Sequence, residues 1–379
     1  MKKRRILALI LAALTTIGLL SGCSHDKSDE LTKITLNEVA HSIFYAPQYV
    51  AIELGYFKDE GIDLTVETGF GADKTMTALL SGNADIGFMG SEASIYAYAQ
   101  GAKDYAVNFA QLTQRAGNFL VSRSEEPDFD WNSLKGKTVL GGRAGGMPQM
   151  VLEYVLKQKG IDPSEIDIVQ NIDFGLTAGA FSGGQGDYTV EFEPGATSLE
   201  LSGDGYVVAS LGVESGYVPY TAYCAKQSFI DDNPEIISGF TRAIEKGMAY
   251  VASHSSEDIA EIIAPQFADI DVDKIAIIIE RYKSQDTWKT DPTFEKEAFE
   301  LLKDILKEAG ELDVDVPYED LVMKPLTYAT RRHAFAWLHA QRMLKSVSDG
   351  LSTDVCKQPR MAYVCGLSGW NPGGTLSCV

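Results

Sequence analysis

A chain of 379 residues, 45% hydrophobic and 23% charged, has an ordinary globular composition and is long enough for two lobes whose cores need no covalent staples. Its formal net charge of −20 disfavours nucleic acid, because a phosphate backbone would be repelled. The charge is uneven. The first 23 residues carry four cations and no acid, and the 53 residues from Thr327 carry six cations and two acids. Removing these two +4 segments leaves −28 on the residues between.

The N-terminus reads as an address. Lys2, Lys3, Arg4 and Arg5 precede an apolar run from Ile6 to Leu20, broken only by Thr15, Thr16 and Gly18. That run is short of the about 20 residues a permanent spanning helix needs, so 1–22 reads as a secretory signal. It ends in Leu20-Ser21-Gly22-Cys23, which resembles the bacterial lipobox and marks Cys23 as the lipidated first mature residue. Two or more acyl chains anchor a protein stably, at about 0.8 kcal/mol per buried CH₂. Residues 23–33 are polar and read as a tether. Beyond them the body holds only Cys224 before the tail, too few for a disulfide framework.

The body begins with a strand over 34–40. A helix from Pro47 to Glu60 follows, with Pro47 in a first-turn position and Gly55 near its end. Residues 62–67 alternate strictly, as a strand does. Asp73 to Ser81 reads as a helix with Asp73 as N-cap and Gly82 as stop, and 84–88 as a third strand. Further strands are expected at 118–122, 137–140, 166–169, 187–191 and 206–211, with a helix over 148–159. From Pro234 to Ala309 the signals are helical, interrupted near Asp269 and Asp291. Such alternation predicts an α/β protein with parallel-dominated sheets.

Three blocks in order resemble the solute-binding proteins of ABC importers, of the SsuA/THI5-like (nitrate, sulfonate, taurine and thiamine-precursor) type. The first is Ala46-Pro47-Gln48-Tyr49-Val50-Ala51 with Leu54-Gly55-Tyr56-Phe57 and Glu60-Gly61-Ile62-Asp63-Leu64. The second is Ala78-Leu79-Leu80-Ser81-Gly82-Asn83-Ala84-Asp85-Ile86-Gly87, and the third Leu134-Lys135-Gly136-Lys137-Thr138-Val139 with Gly141-Gly142. The resemblance covers about 34–320. It implies a type II periplasmic-binding-protein fold: two lobes, 34–114 plus 222–320 and 115–221, joined by two crossover segments, with C-terminal helices packed on the first lobe and a ligand cleft between. It also implies permease and ATPase partners, a monomeric body and no cofactor.

Ligands of open α/β sheets sit beyond the carboxyl ends of strands, which selects the candidate loops. His41 and Tyr45, with Phe44 less favoured, follow the first strand; the plainer reading makes the two rings core residues at a helix start. Ser91 and Glu92 follow the third strand, where Ser91 is also a natural N-cap. Arg143, Gly145 and Gly146 lie in a glycine-rich loop that offers a cation and open N–H groups, yet lacks the G-K-[ST] ending of a Walker loop. Glu193, after Glu191, sits in an E-P element resembling one the family places near the cleft, and Tyr220 sits at the second crossover. Gln114 and Arg115 mark the first. Three acids, Glu92, Glu191 and Glu193, tilt the ligand away from inorganic anions and toward a heteroaromatic or amine-bearing solute.

The body has two histidines, His41 and His254, and no H-E-x-x-H or C-x-x-C spacing, so no dedicated metal site is expected. There is no G-x-S-x-G. The family's pyrimidine-synthase branch carries a Cys-rich motif that this chain lacks. The expected function is solute capture for an importer, without chemistry; the alternatives are a ligand-binding sensor lipoprotein and a pyrimidine-synthase-like enzyme. Residues 327–379, with three of the five cysteines, read as an atypical, non-native or disordered tail.

Overall fold

A computed structural model describes residues 31–172 and 175–323. Ten strands form two five-stranded sheets. The first holds β1 (Thr32–Glu38), β2 (Ile62–Thr68), β3 (Ile86–Gly90), β4 (Ala106–Thr113) and β10 (Thr221–Lys226), in the order β2-β1-β3-β10-β4. The second holds β5 (Phe119–Ser122), β6 (Thr138–Leu140), β7 (Asp167–Val169), β8 (Tyr188–Glu191) and β9 (Tyr206–Ser210), in the order β7-β6-β8-β5-β9.

The two sheets follow one plan. In each, the first three strands in spatial order pair in parallel, and the fourth pairs antiparallel to both its neighbours. Four strands of each sheet thus share a direction, so both sheets are mixed. The reversed strand is each time the one that arrives from the other sheet: β5 after 114–118, and β10 after 211–220. The chain crosses between halves twice, as the type II periplasmic-binding-protein fold requires.

Local chemistry explains most boundaries. In β2, Ile62, Leu64 and Val66 turn inward and the polar residues between turn out. The segment expected as one helix over 47–60 is two, Ala46–Glu53 and Tyr56–Asp59, because Gly55 takes φ +73° between them. The helix expected from Asp73 begins at Ala72 with Gly71 at its cap, so Asp73 sits in the first turn rather than capping it. The first strand starts at Thr32, opposite Ile62, which places the last two residues of the expected tether in the sheet. Cys23, the signal segment and 327–379 lie outside the described residues.

Strands β4 and β10 and the helices Thr177–Ser182, Gly195–Ser202 and Leu211–Ser215 are additions to the sequence reading. The helices Pro234–Ser253 and Ser256–Ile263 pack on Ala46–Glu53. At Gly247 the backbones meet: a Cβ there would lie 2.1 Å from the Pro47 carbonyl oxygen. The later helices also touch the second half. Lys296–Glu308 packs on Met147–Gln158, where Lys157 Nζ donates to the Glu308 carbonyl at 2.7 Å.

Gly247→Ala tests the helix contact. Helix propensity alone would stabilise it by about 1 kcal/mol. Overpacking against Pro47 should win and cost about 1–3 kcal/mol in urea unfolding. An unchanged or raised stability contradicts the packing described.

Candidate functional site

A cleft of about 990 Å³ opens between the two sheets, lined by the loops after β1, β3, β6 and β8. These are carboxyl ends of parallel strands in both halves. Eight of the nine expected ligand-facing residues line it: His41, Tyr45, Glu92, Arg143, Gly145, Gly146, Glu193 and Tyr220.

His41 is held from behind. Its Nδ1 lies 2.8 Å from Glu38 Oε1 and its Nε2 2.8 Å from the Gln266 carbonyl oxygen. The bond to Glu38 raises its pKa above the usual imidazole value, against the opposing effect of burial. Glu38 is fully buried and takes further donors from Gln48 Nε2 at 2.7 Å and Tyr49 Oη at 2.9 Å. With an acceptor at each ring nitrogen, His41 offers the cleft ring surface rather than a free lone pair.

Tyr45 and Tyr220 build the aromatic wall. The Tyr45 ring lies 4.5 Å from Phe88 and 5.3 Å from Phe44, and Tyr220 meets Phe44 edge-on at 5.7 Å. The Tyr220 hydroxyl donates to Asn118 Oδ1 at 2.8 Å. Burial holds both phenols well above their ordinary pKa.

Ser91 corrects an expectation. Its backbone is already helical (φ −67°, ψ −17°), so the hydroxyl makes no capping bond, and the side chain does not line the cleft. Glu92 does, and its carboxyl folds back over Gly90, where a Cβ would lie 2.1 Å from Oε2. Burial raises the Glu92 pKa to about 7. On the facing half Glu191 repeats the arrangement. A Cβ at Gly195 would lie 2.9 Å from its Oε2, and burial, only partly offset by hydrogen bonds from Thr189 and Thr177, raises it to about 7.

Glu193 is engaged elsewhere. Arg281 Nη1 donates to Oε1 at 2.6 Å, Thr197 Oγ1 donates to Oε1 and Thr197 N to Oε2, both at 2.9 Å, and burial still raises its pKa. Arg281 also pairs with Glu200. The glycine-rich loop is no open anion nest: Gly145 N–H donates to Gln149 Oε1 and Gly146 N–H to the Arg143 carbonyl. Arg143 itself is half exposed, 3.9 Å from Asp73 of the other half. Arg115 and Gln114 stand off the cleft. Arg115 donates to the Gly212 carbonyl at 2.9 Å and covers the Tyr217 ring, while Gln114 bonds the Asp286 and Trp288 carbonyls. Sequence reasoning missed Glu38, Asn118 and Arg281, whose roles come from contacts distant in the chain.

A family model described as NMT1/THI5 like matches residues 43–258. The chain belongs to the NMT1/THI5-like family. It is 50% identical over 324 residues to YtlA of Bacillus subtilis (strain 168), whose name assigns it a binding role; the match spans 85% of this chain and 97% of that one. It is 23% identical over 300 residues to the formylaminopyrimidine-binding protein of Halalkalibacterium halodurans, covering 75% and 88%. It is 24% identical over 237 residues to a 4-amino-5-hydroxymethyl-2-methylpyrimidine phosphate synthase of Candida albicans (strain WO-1), covering 58% and 66%. These relatives thus include proteins named as binders and as an enzyme, and the 50% relative is a binder by name. In structure the chain matches the alkanesulfonate-binding protein SsuA of Xanthomonas axonopodis pv. citri at TM-score 0.63 and 15% identity, over 78% of this chain and 99% of that one, which shows the shared fold. Among the described residues no helix is long and apolar enough to cross a membrane, and no cluster of three metal-ligating side chains occurs.

A carboxyl whose pKa rises on folding adds stability below its unfolded value that is lost as pH climbs through the folded value. Glu92 and Glu191 therefore predict a ligand-free protein that loses stability between about pH 4.5 and pH 7. Glu92→Gln should stabilise at pH 8, on the order of 3 kcal/mol, and leave pH 4 nearly unchanged. Equal effects at both pH values in thermal unfolding would contradict the burial.

Proposed function

We propose that this protein is the extracytoplasmic solute-binding component of an ABC importer, and that it captures an amine-bearing heteroaromatic solute without altering it. The observation that carries the reading is the composition of the cleft wall. Four carboxyls, Asp73, Glu92, Glu191 and Glu193, and an aromatic wall line about 990 Å³; of the cations beside them, His41 is engaged by Glu38, Arg281 by Glu193 and Glu200, and Arg143 is half exposed beside Asp73. Nitrate or a sulfonate would meet acids there; an N–H-bearing ring would meet acceptors and stacking surfaces. The formylaminopyrimidine-binding relative supports the same class of solute.

In this reading the lobes are 34–114 plus 222–320 and 115–221, and they close about the crossover segments to present a shape that a permease senses. A lipid on Cys23 holds the monomeric body at the membrane. The engaged nitrogens of His41 favour binding over catalysis, because a general base needs a free lone pair.

Thermal-shift measurement tests the solute class. Aminopyrimidines should raise the melting temperature, with about 2.7 kcal/mol of added stability at a hundred times the dissociation constant, and nitrate, taurine and alkanesulfonates should not. Stabilisation by the anions alone contradicts the reading. Acyl labelling in cells should be lost in Cys23→Ser, and retained labelling would refute the anchor.

A further inference from the structure

Among the cleft-lining residues described, two buried side-chain atoms lack a hydrogen-bond partner: Glu92 Oε2 and Asn118 Nδ2. Glu92 is 4% exposed and Asn118 is fully buried. Leaving a buried polar atom unsatisfied costs about 1–3 kcal/mol, so each must be held in place by its surroundings. Gly90 gives the Glu92 carboxyl its room. Asn118 is oriented by the Tyr220 hydroxyl on its Oδ1, which leaves Nδ2 free to donate. Its neighbour Gly117 lies under the Phe44 ring, where a Cβ would come within 2.5 Å. Glu92 belongs to the half built on the first sheet, and Asn118 directly precedes β5 of the second.

Resting on the solute class proposed above, we infer that Glu92 and Asn118 are the specificity-determining residues of the cleft and together read an amino group and ring nitrogen of an amino-substituted azine. A neutral carboxyl accepts from the amino N–H through its carbonyl oxygen and donates its O–H to the adjacent ring nitrogen. Asn118 Nδ2 donates to a further acceptor on the solute. The phenols of Tyr45, Tyr96 and Tyr220 around Glu92 are all raised by burial and neutral in the working range, and His41, Asp73, Arg143, Glu191 and Glu193 share the cleft wall. The pair then needs the Glu92 proton, so affinity falls as pH rises above about 7.

Calorimetric titration with 4-amino-2-methylpyrimidine and 2,4-dimethylpyrimidine, from pH 7 to pH 9, tests this. The second probe replaces the amino group by a methyl of similar size. The parent should prefer the amino compound by about tenfold or more, as expected for one hydrogen bond to such a group. Its affinity should drop toward about tenfold per pH unit above neutrality. Glu92→Gln can make the same two-point pair and should keep the preference while losing the pH dependence. Glu92→Leu should bind both probes alike, and Asn118→Asp, which keeps the acceptor for Tyr220, should weaken the amino compound. A preference retained in Glu92→Leu, or a pH slope retained in Glu92→Gln, overturns the assignment while leaving the solute class standing. A parent that binds neither probe overturns the solute class, and this inference with it.

Discussion

Carboxyl groups buried without a cation to neutralise them govern this molecule's cleft. Burial disfavours the charged form and raises both Glu92 and Glu191. Each carboxyl has a glycine beside it, Gly90 and Gly195, that leaves its space open. Glu193 shows the contrast. It is buried to a similar degree, but Arg281 and Thr197 occupy its oxygens, so it works as a structural tie. The three buried glutamates of the cleft thus divide into two that can face a solute and one that holds the wall together.

The wall itself depends on the crossing segments. Helix Val272–Ser284 and the turn after it reach into that region from behind. Tyr282 Oη donates to the Gly117 carbonyl at 3.2 Å and accepts from Glu193 N at 3.3 Å. Gln285 Nε2 donates to the Ala116 carbonyl at 3.1 Å, and Trp288 Nε1 to the Phe44 carbonyl at 2.8 Å. Arg281 extends the same contact to Glu193 and Glu200. The elements that carry Phe44, Asn118 and Glu193 are therefore fixed by one helix and the turn after it, which ties cleft geometry to a segment far away in sequence.

Much of the fold was legible because its signals are local. Strict alternation marked β2, Gly82 in a left-handed turn marked a helix stop, and the interruptions near Asp269 and Asp291 fall between helices. Strand β4 was not legible. It is buried on both faces, so it lacks alternation, and Asn108, Gln111 and Thr113 break its apolar run. Two of them find partners only in the folded chain: Asn108 Nδ2 donates to Ser94 Oγ and to the Leu321 carbonyl, and Thr113 Oγ1 meets Thr221 Oγ1 at 2.6 Å. The site divides the same way. Loops after strands pointed to His41, Glu92 and Arg143, but the meaning of each came from afar. Gln266 lies 225 residues from His41 and Arg281 88 residues from Glu193. Asn118 carried no motif; only its burial beside Tyr220 reveals it.

The character of the cleft depends most directly on the state of the Glu92 carboxyl in the free protein. Carbon-detected NMR of the glutamate side-chain carboxyl carbons, assigned through Glu92→Gln and followed from pH 4 to pH 9, reads that state. A midpoint near 7 for Glu92, lost from this range when the cleft is filled, is the result the structure predicts. A midpoint at the ordinary glutamate value of about 4.3 would mean a solvated, charged group and would contradict the cleft described.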